Sequence, residues 1–504
     1  MRILAALALP LAFASLRAGT AAAQATVAAD TLPPPLPREF RAMWVATVTN
    51  MDWPSRPDLT TAEQQQELLA ILDRAAALKM NGIVFQVRPE ADALYASRYE
   101  PWSRYLTGRQ GRAPSPMWDP LAFAVDEAHK RGIELHAWFN PYRVAFYKDS
   151  TTARSHVSRR RPDLVVPYAQ FLWMNPGLPE SRRLFTRAVL DVVRRYDVDG
   201  VHIDDYFYPY PEASGGQPIP FPDARTYAAY RRAGGSLDLA DWRRRNVNTL
   251  VREFYAAVKA EKPWVKVGIS PFGIWRPGTP ATTTAGVSQY DELFADVRKW
   301  LREGTLDYVA PQLYWPVQPA AQSYPVLLKW WVEESVKRRH VWPGLADYKI
   351  PITGPRKMSV DDIAQEIEIT RATPGATGHI HFNTRIVMEN REGIANRLAQ
   401  LYAETALVPA SPWLDKTPPQ APNARMVSDT SGAPLIRLAA KGRERVRLFA
   451  VQLRIAGAWR TRVLPAGAST YILSPEDAGA DVIAVRALDR AGNESAATIV
   501  RRAP

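Results

Sequence analysis

The sequence predicts an α/β protein, a (β/α)8 TIM barrel followed by a small all-β sandwich domain. Three observations lead there. Eight short apolar runs alternate with helical stretches between Arg38 and about Ala410. Beyond a proline-rich break at 415–422, six further short runs alternate apolar and polar residues with turn signals between them. The stretch from Val198 to Tyr210 reads as a buried strand that breaks into an acidic, aromatic loop.

In chain order, the apolar runs predict strands at 42–48, 82–87, 134–139, 200–204, 265–269, 308–313, 341–345 and 379–382. Amphipathic stretches lie between them, such as 61–78, opened by a threonine with a glutamate downstream, and 120–130. A doubly wound open sheet would ask for a glycine-rich phosphate loop after the first strand, and none follows it. The later strands are placed at 435–439, 446–453, 459–463, 470–473, 482–487 and 497–500. The predicted organisation is a signal peptide at 1–23, a Pro-rich linker at 24–37, the barrel at 38–410, a linker at 411–422 and the β-sandwich at 423–504.

The leader rests on the apolar run Ile3–Leu9 and beyond, behind the single basic Arg2, closed by Ala21, Ala22 and Ala23. No second apolar stretch of membrane-spanning length occurs. The chain has no cysteine, so disulfides, thiolate nucleophiles and Cys-ligated metals are excluded. Export without disulfides predicts a periplasmic or secreted bacterial protein. The formal net charge of +13 favours anionic partners. Its positives are dispersed and accompany no nucleic-acid-binding motif, so nucleic acid is not expected as a partner. No cofactor motif is present, and the expected partner is a polysaccharide.

The carboxyl ends of barrel strands are where barrel enzymes keep their chemistry. Strand two leads to Gln86, Arg88, Glu90 and Asp92; strand three carries His136, Trp138 and Asn140 on one face. Strand four gives His202, Asp204 and Asp205, followed by Tyr206, and strand five runs toward Trp275. Strand six supplies Gln312, Tyr314 and Trp315; strand eight carries His379 and His381, which alternation places inward with His136 and His202. Aromatic faces stack on sugar rings, and amides and guanidinium groups bond their hydroxyls. Substrate contacts are therefore expected from Arg88, His136, Trp138, Asn140, His202, Tyr206, Trp275, Gln312, Tyr314 and Trp315.

The motifs Arg41–Val48 (RAMWVATV), Phe85–Pro89 (FQVRP), His136–Arg143 (HAWFNPYR), Asp204–Pro209 (DDYFYP) and Ile269–Arg276 (ISPFGIWR) resemble those of the family 10 glycosyl-hydrolase-like proteins of bacterial envelopes. The resemblance spans the barrel. It implies a TIM barrel related to retaining glycosidases and activity on bacterial cell-wall glycan, because the family includes enzymes that cleave peptidoglycan strands stripped of peptide. The segment from Val485 to Ser495 resembles the last hairpin of fibronectin type III domains.

Glycoside hydrolysis needs two carboxyl groups, one an acid and one a nucleophile or base. Alternation aims Asp204 inward as the nucleophile or base, with His202 one layer deeper to hold it. The acid is sought among Asp92, Asp205, Glu90, Asp52 and Asp347, with Asp92 preferred and Asp205 next. Two other readings stay open at this point. One is a non-catalytic glycan-binding envelope protein. The other is a metal-dependent polysaccharide hydrolase or deacetylase that draws ligands from His136, His202, Asp204, His379 and His381.

Overall fold

The structure, a computed structural model, describes residues 32–501 except 149, 319, 355 and 356. The predicted leader and the first part of the predicted linker lie outside the described residues. Among the described residues, eight parallel strands form the barrel. They are β1 Phe40–Val45, β2 Gly82–Arg88, β3 Glu134–Phe139, β4 Gly200–Ile203, β5 Lys266–Ile269, β6 Tyr308–Val309, β7 in two pieces (His340–Val341 and Gly344–Leu345) and β8 Gly378–His381. The ring closes because the first piece of β7 pairs with β6 and the second with β8, which pairs with β1. Each strand is followed by a helix: α1 Thr61–Ala77, α2 Pro120–Lys130, α3 Pro179–Arg195, α4 Leu239–Glu261, α5 Val297–Glu303, α6 Tyr324–Glu334, α7 Val360–Ala372 and α8 Ile394–Leu401.

Local chemistry explains the boundaries. The Thr60 side chain accepts from the Glu63 backbone while Glu63 reaches back to Thr60, so α1 starts on a reciprocal cap. Asp119 caps α2, whose first residue is Pro120. Strands six and seven are shorter than expected because Pro311 and Pro343 carry no N–H for the ladder.

Along β1 the side chains divide by parity. Phe40, Ala42 and Trp44 fill the barrel interior with Val84, Trp138, Tyr308 and Trp342, while Met43 and Val45 face the helices. The ring of Trp342 stacks on Phe40 at 3.9 Å between centroids. Two glycines admit the large interior rings. A Cβ on Gly200 would stand 2.6 Å from His136 Nδ1, and one on Gly268 would stand 1.9 Å from Tyr308 Cζ. Gly268→Ala is therefore expected to overpack the barrel and cost ~1–3 kcal/mol of stability, read by thermal unfolding. An unchanged melting transition would mean that the interior yields at Tyr308.

The C-terminal β domain has two antiparallel sheets. One is three-stranded, ordered β9 (Asn423–Ser428), β10 (Pro434–Ala439) and β13 (Thr470–Ile472). The other is four-stranded, ordered β12 (Ala458–Pro465), β11 (Leu448–Ile455), β14 (Ala480–Leu488) and β15 (Thr498–Arg501). Ile436, Phe449, Val451, Ile483 and Val485 are among the residues of its core. This domain seats against the amino ends of the barrel strands. Arg447 Nε lies 3.4 Å and Arg490 Nη1 3.5 Å from Asp199, which immediately precedes β4. Burial raises the Asp199 carboxyl, but Arg447, His129 and Arg490 overcome that and hold it well below the usual carboxylate range. The described part of the N-terminal linker is packed here too. Leu36 joins Leu407, Ala450 and Leu488, and Gln452 Nε2 donates to the Pro34 carbonyl at 3.0 Å. Arg447→Met should destabilise the chain by ~1–3 kcal/mol in denaturant titration. Turnover in the cold should be unchanged, because this seat lies at the opposite end of the barrel from Asp204.

Candidate active site

Strand β4 ends at Ile203, and the chain leaves the sheet there. The alternation that would have turned Asp205 away from Asp204 no longer applies. Both carboxylates, with exposures of only 4% and 1%, line one cavity of about 240 Å3 at the carboxyl ends of the strands. Its walls include Trp44, Trp138, Tyr206 and Tyr314, and its polar lining includes Arg143 and Gln312.

The two acids are held differently. Asp204 accepts from Trp138 Nε1 at 3.2 Å and from Asn140 Nδ2 at 3.2 and 3.0 Å. Asn140 is positioned in turn by its Oδ1, which accepts from the Arg143 backbone at 2.8 Å. Burial raises the Asp204 carboxyl above its ordinary value, opposed by the Arg143 charge and by these donors. For Asp205, burial and then the neighbouring Asp204 charge push the carboxyl up to about 7, opposed by the Tyr210 hydroxyl and Gln312. Tyr210 donates its hydroxyl proton to Asp205 Oδ2. Gln312 is anchored through Nε2 on the Ser270 carbonyl at 3.1 Å. Donors and the Arg143 charge thus oppose the rise at Asp204, whereas at Asp205 the neighbouring charge adds to burial and favours a retained proton near neutral pH.

Below the cavity runs a chain of hydrogen bonds through the barrel interior. The Trp44 indole can only donate, and it points at His202 Nε2 at 3.3 Å, so that nitrogen is the acceptor. His202 Nδ1–H then donates to the Tyr308 hydroxyl at 3.0 Å, and Tyr308 donates to His136 Nδ1 at 2.9 Å. His136 Nε2 donates to Glu134 at 3.0 Å, and Lys266 Nζ pairs with Glu134 at 2.8 Å. Burial lowers His202 well below the ordinary histidine value, which keeps it neutral. His202 also meets Ser270 Oγ at 2.9 Å. It supports the cavity floor rather than holding Asp204, whose partners are Trp138 and Asn140.

Of the residues expected from sequence, Asp204, Asp205, Trp138, Tyr206, Gln312 and Tyr314 line this cavity, and Asn140 bonds into it. The others are placed elsewhere. Asp92 is fully buried and accepts from Gln110 Nε2 at 2.9 Å, so the strand-two loop turns it away from the cavity. Arg88 is spent on a bidentate pair with Glu100, 2.6 Å at its shortest. His136 lies deep in the interior chain. Trp275 packs against Tyr290 with centroids 4.8 Å apart, and Trp315 packs edge-on against Phe272. Glu90 accepts from the Phe146 backbone, Asp52 from the Ala46 and Arg385 backbones, and Asp347 pairs with His381. Of the acids considered, only Asp204 and Asp205 line the cavity.

The histidines of β8 face the other way from expectation. Ile380 points into the barrel, so His379 and His381 face the helices, where both meet the Tyr402 hydroxyl, at 2.5 and 2.8 Å. They cannot join His136 and His202 around one ion. Among the described residues, no three His, Asp or Glu side chains converge as metal ligands. Trp44, Arg143, Phe146, Ser270 and Phe382 also line the cavity but were not among the expected contacts. For Trp44 the period-two pattern of Phe40, Ala42, Trp44 and Ala46 carried the signal.

Two buried carboxyl groups facing one aromatic-walled cavity, at the catalytic end of a closed (β/α)8 barrel, are the arrangement of a barrel glycosidase. Residues 39–360 match the family described as Glycosyl hydrolase-like 10. The chain belongs to this family and is a glycoside hydrolase, acting on a glycan. It is 43% identical over 411 residues to the glycosyl hydrolase YngK of Bacillus subtilis (strain 168), covering 80% of this chain and 79% of that protein. It is 37% identical over 372 residues to the glycosyl hydrolase DigH of Escherichia coli (strain K12), covering 68% of this chain and 82% of that protein. Among solved structures, the PgaB (BpsB) glycoside hydrolase domain from Bordetella bronchiseptica aligns at 14% identity with a TM-score of 0.48, covering 74% of this chain and 100% of that one. The catalytic domain of β-amylase from Paenibacillus polymyxa aligns at 10% identity with a TM-score of 0.49, covering 73% and 99%.

Proposed function

We propose that this glycosidase cleaves a bacterial cell-envelope polysaccharide, the glycan strands of peptidoglycan, with Asp205 as the acid and Asp204 as the nucleophile or base. The observation that carries the assignment is that both carboxyls line one cavity while the other candidate acids are bonded away from it. Asp205 gives its proton to the glycosidic oxygen as the bond from that oxygen to the anomeric carbon breaks. Asp204 supplies the opposing negative charge, either by attacking the anomeric carbon or by taking a proton from the attacking water. Trp138 and Asn140 orient Asp204, and the aromatic walls offer stacking faces for sugar rings.

The envelope substrate is supported by the basic balance of +13, by the secretory character of the first residues, and by the family resemblance of the barrel motifs. The same features support a periplasmic or secreted location. Among the described residues, no helix is long and apolar enough to cross a membrane. The division of the C-terminal domain into three and four strands supports a fibronectin type III-like domain, seated as a structural base. Mass spectrometry of products from peptide-free peptidoglycan strands tests the substrate. Saccharides of defined size are expected from the native chain and none from Asp204→Asn. Intact strands after prolonged incubation with active enzyme would overturn this substrate.

A further inference from the structure

A second cleft, of about 800 Å3, lies on the same end of the barrel, between the loop after β2 and the loop after β3. Arg104, Arg109, Arg112 and Arg154 line it, and no carboxylate among the described residues does. Arg104 shares its charge with the buried Glu90, 3.4 Å away. Arg109, Arg112 and Arg154 are exposed and form no ion pair among the described residues.

The cleft is held in shape. Gln110, 6% exposed, staples its two walls: Nε2 donates to Asp92 at 2.9 Å, and Oε1 accepts from the Ala153 backbone at 3.1 Å. Gly111, at φ 86°, lets the walls touch, since a Cβ there would stand 2.9 Å from that of Ala153. Asp92 therefore has a definite task as the buried anchor of this staple.

Position links the cleft to catalysis. The Phe146 backbone N–H donates to Glu90, and Phe146 itself lines the catalytic cavity. Arg104 meets the same glutamate from the basic side. Ser155 also borders a further hollow whose lining combines Arg160, Arg161 and Arg187 with Glu100 and Glu180.

We propose that this cleft is a distal subsite that holds the carboxylate substituents of an anionic glycan whose cleaved bond lies between Asp204 and Asp205. This rests on the envelope-polysaccharide reading above and specifies the charge of the substrate. A cleft walled by one sign of charge concentrates the opposite charge, and guanidinium groups pair with carboxylates in a planar, two-pronged geometry. A neutral glycan would gain nothing from three arginines that have no ion-pair partner among the described residues. A polymer with a carboxylate on every repeat meets them in succession.

The test uses the full chain carrying Asp204→Asn, so that binding is read without turnover. Its affinity for peptide-free peptidoglycan strands is compared with that of the same chain carrying R109Q, R112Q and R154Q. Both are also measured on strands whose carboxyls have been amidated, and on an uronate-containing oligosaccharide as an independent carboxylate probe. Three exposed pairs of ordinary strength predict about tenfold weaker binding of the charged strands by the triple variant. The amidated strands should bind both chains equally, and the salt dependence on charged strands should flatten in the variant. Weakening toward the uronate probe with no affinity for peptidoglycan would keep the subsite and discard peptidoglycan as substrate. Equal affinity of the two chains for both carboxylate probes, or no affinity of the parent chain for either, would overturn the subsite.

Discussion

Asp204→Asn is expected to lower kcat on the natural glycan by about 10³-fold or more, a loss of the size seen when a carboxylate essential to the chemistry is removed. The side chain keeps its shape and its place against Trp138 and Asn140, so folding should be little affected. What disappears is the negative charge that opposes the anomeric carbon. The substitution has a second consequence. The charge of Asp204 is one cause of the raised Asp205 carboxyl, so Asp205 should titrate lower in the variant. Steady-state kinetics beside the melting temperature separates this from unfolding. A stable variant with near-native turnover would remove Asp204 from the mechanism.

Asp205→Asn should act through the proton rather than through the charge. A general acid works only while protonated, so activity should fall as pH rises through the Asp205 value of about 7. On the acidic side activity should fall as Asp204, itself raised above its ordinary value by burial, takes up a proton. The native profile is therefore a bell whose alkaline limb belongs to Asp205. In Asp205→Asn that limb should vanish, with a loss of about 10²–10⁴-fold in kcat on the natural glycan. An aryl glycoside, whose leaving group needs no proton, should lose far less. An alkaline limb that persists unchanged in this variant would assign it to another group.

The pattern of apolar runs made most of this architecture legible, because the two periods that define strands and helices are local properties of the chain. The barrel strands, the cap of α1 and the separate β domain all follow from neighbouring residues. The parity of β4 likewise placed Val201 and Ile203 toward the helices and Asp204 toward the cavity. Parity is less secure where a strand is only four residues long and both of its faces are buried. In β8 the interior takes Ile380, and His379 and His381 turn to Tyr402, because the register against β1 aligns them with outward-facing Arg41 and Met43. Likewise Arg88, Trp275 and Trp315 stand at the right ends of their strands, yet loops fold them against Glu100, Tyr290 and Phe272.

By itself the sequence determined a barrel of alternating strands and helices, an attached β domain, and an acidic, aromatic segment at the end of strand four. Those features arise from residues close together in the chain, where spacing alone sets which side chains share a face. The tertiary structure alone decided which other acid shares the cavity with Asp204. Asp92 and Asp205 are equally acidic in sequence and both follow a barrel strand. One is drawn under a loop by Gln110, while the other remains in the cavity because β4 ends one residue before Asp204. That choice depends on burial and on partners contributed by distant loops. Burial also lifts the proton affinity of Asp205, while the bond from Gln110 turns Asp92 into an anchor for the basic cleft.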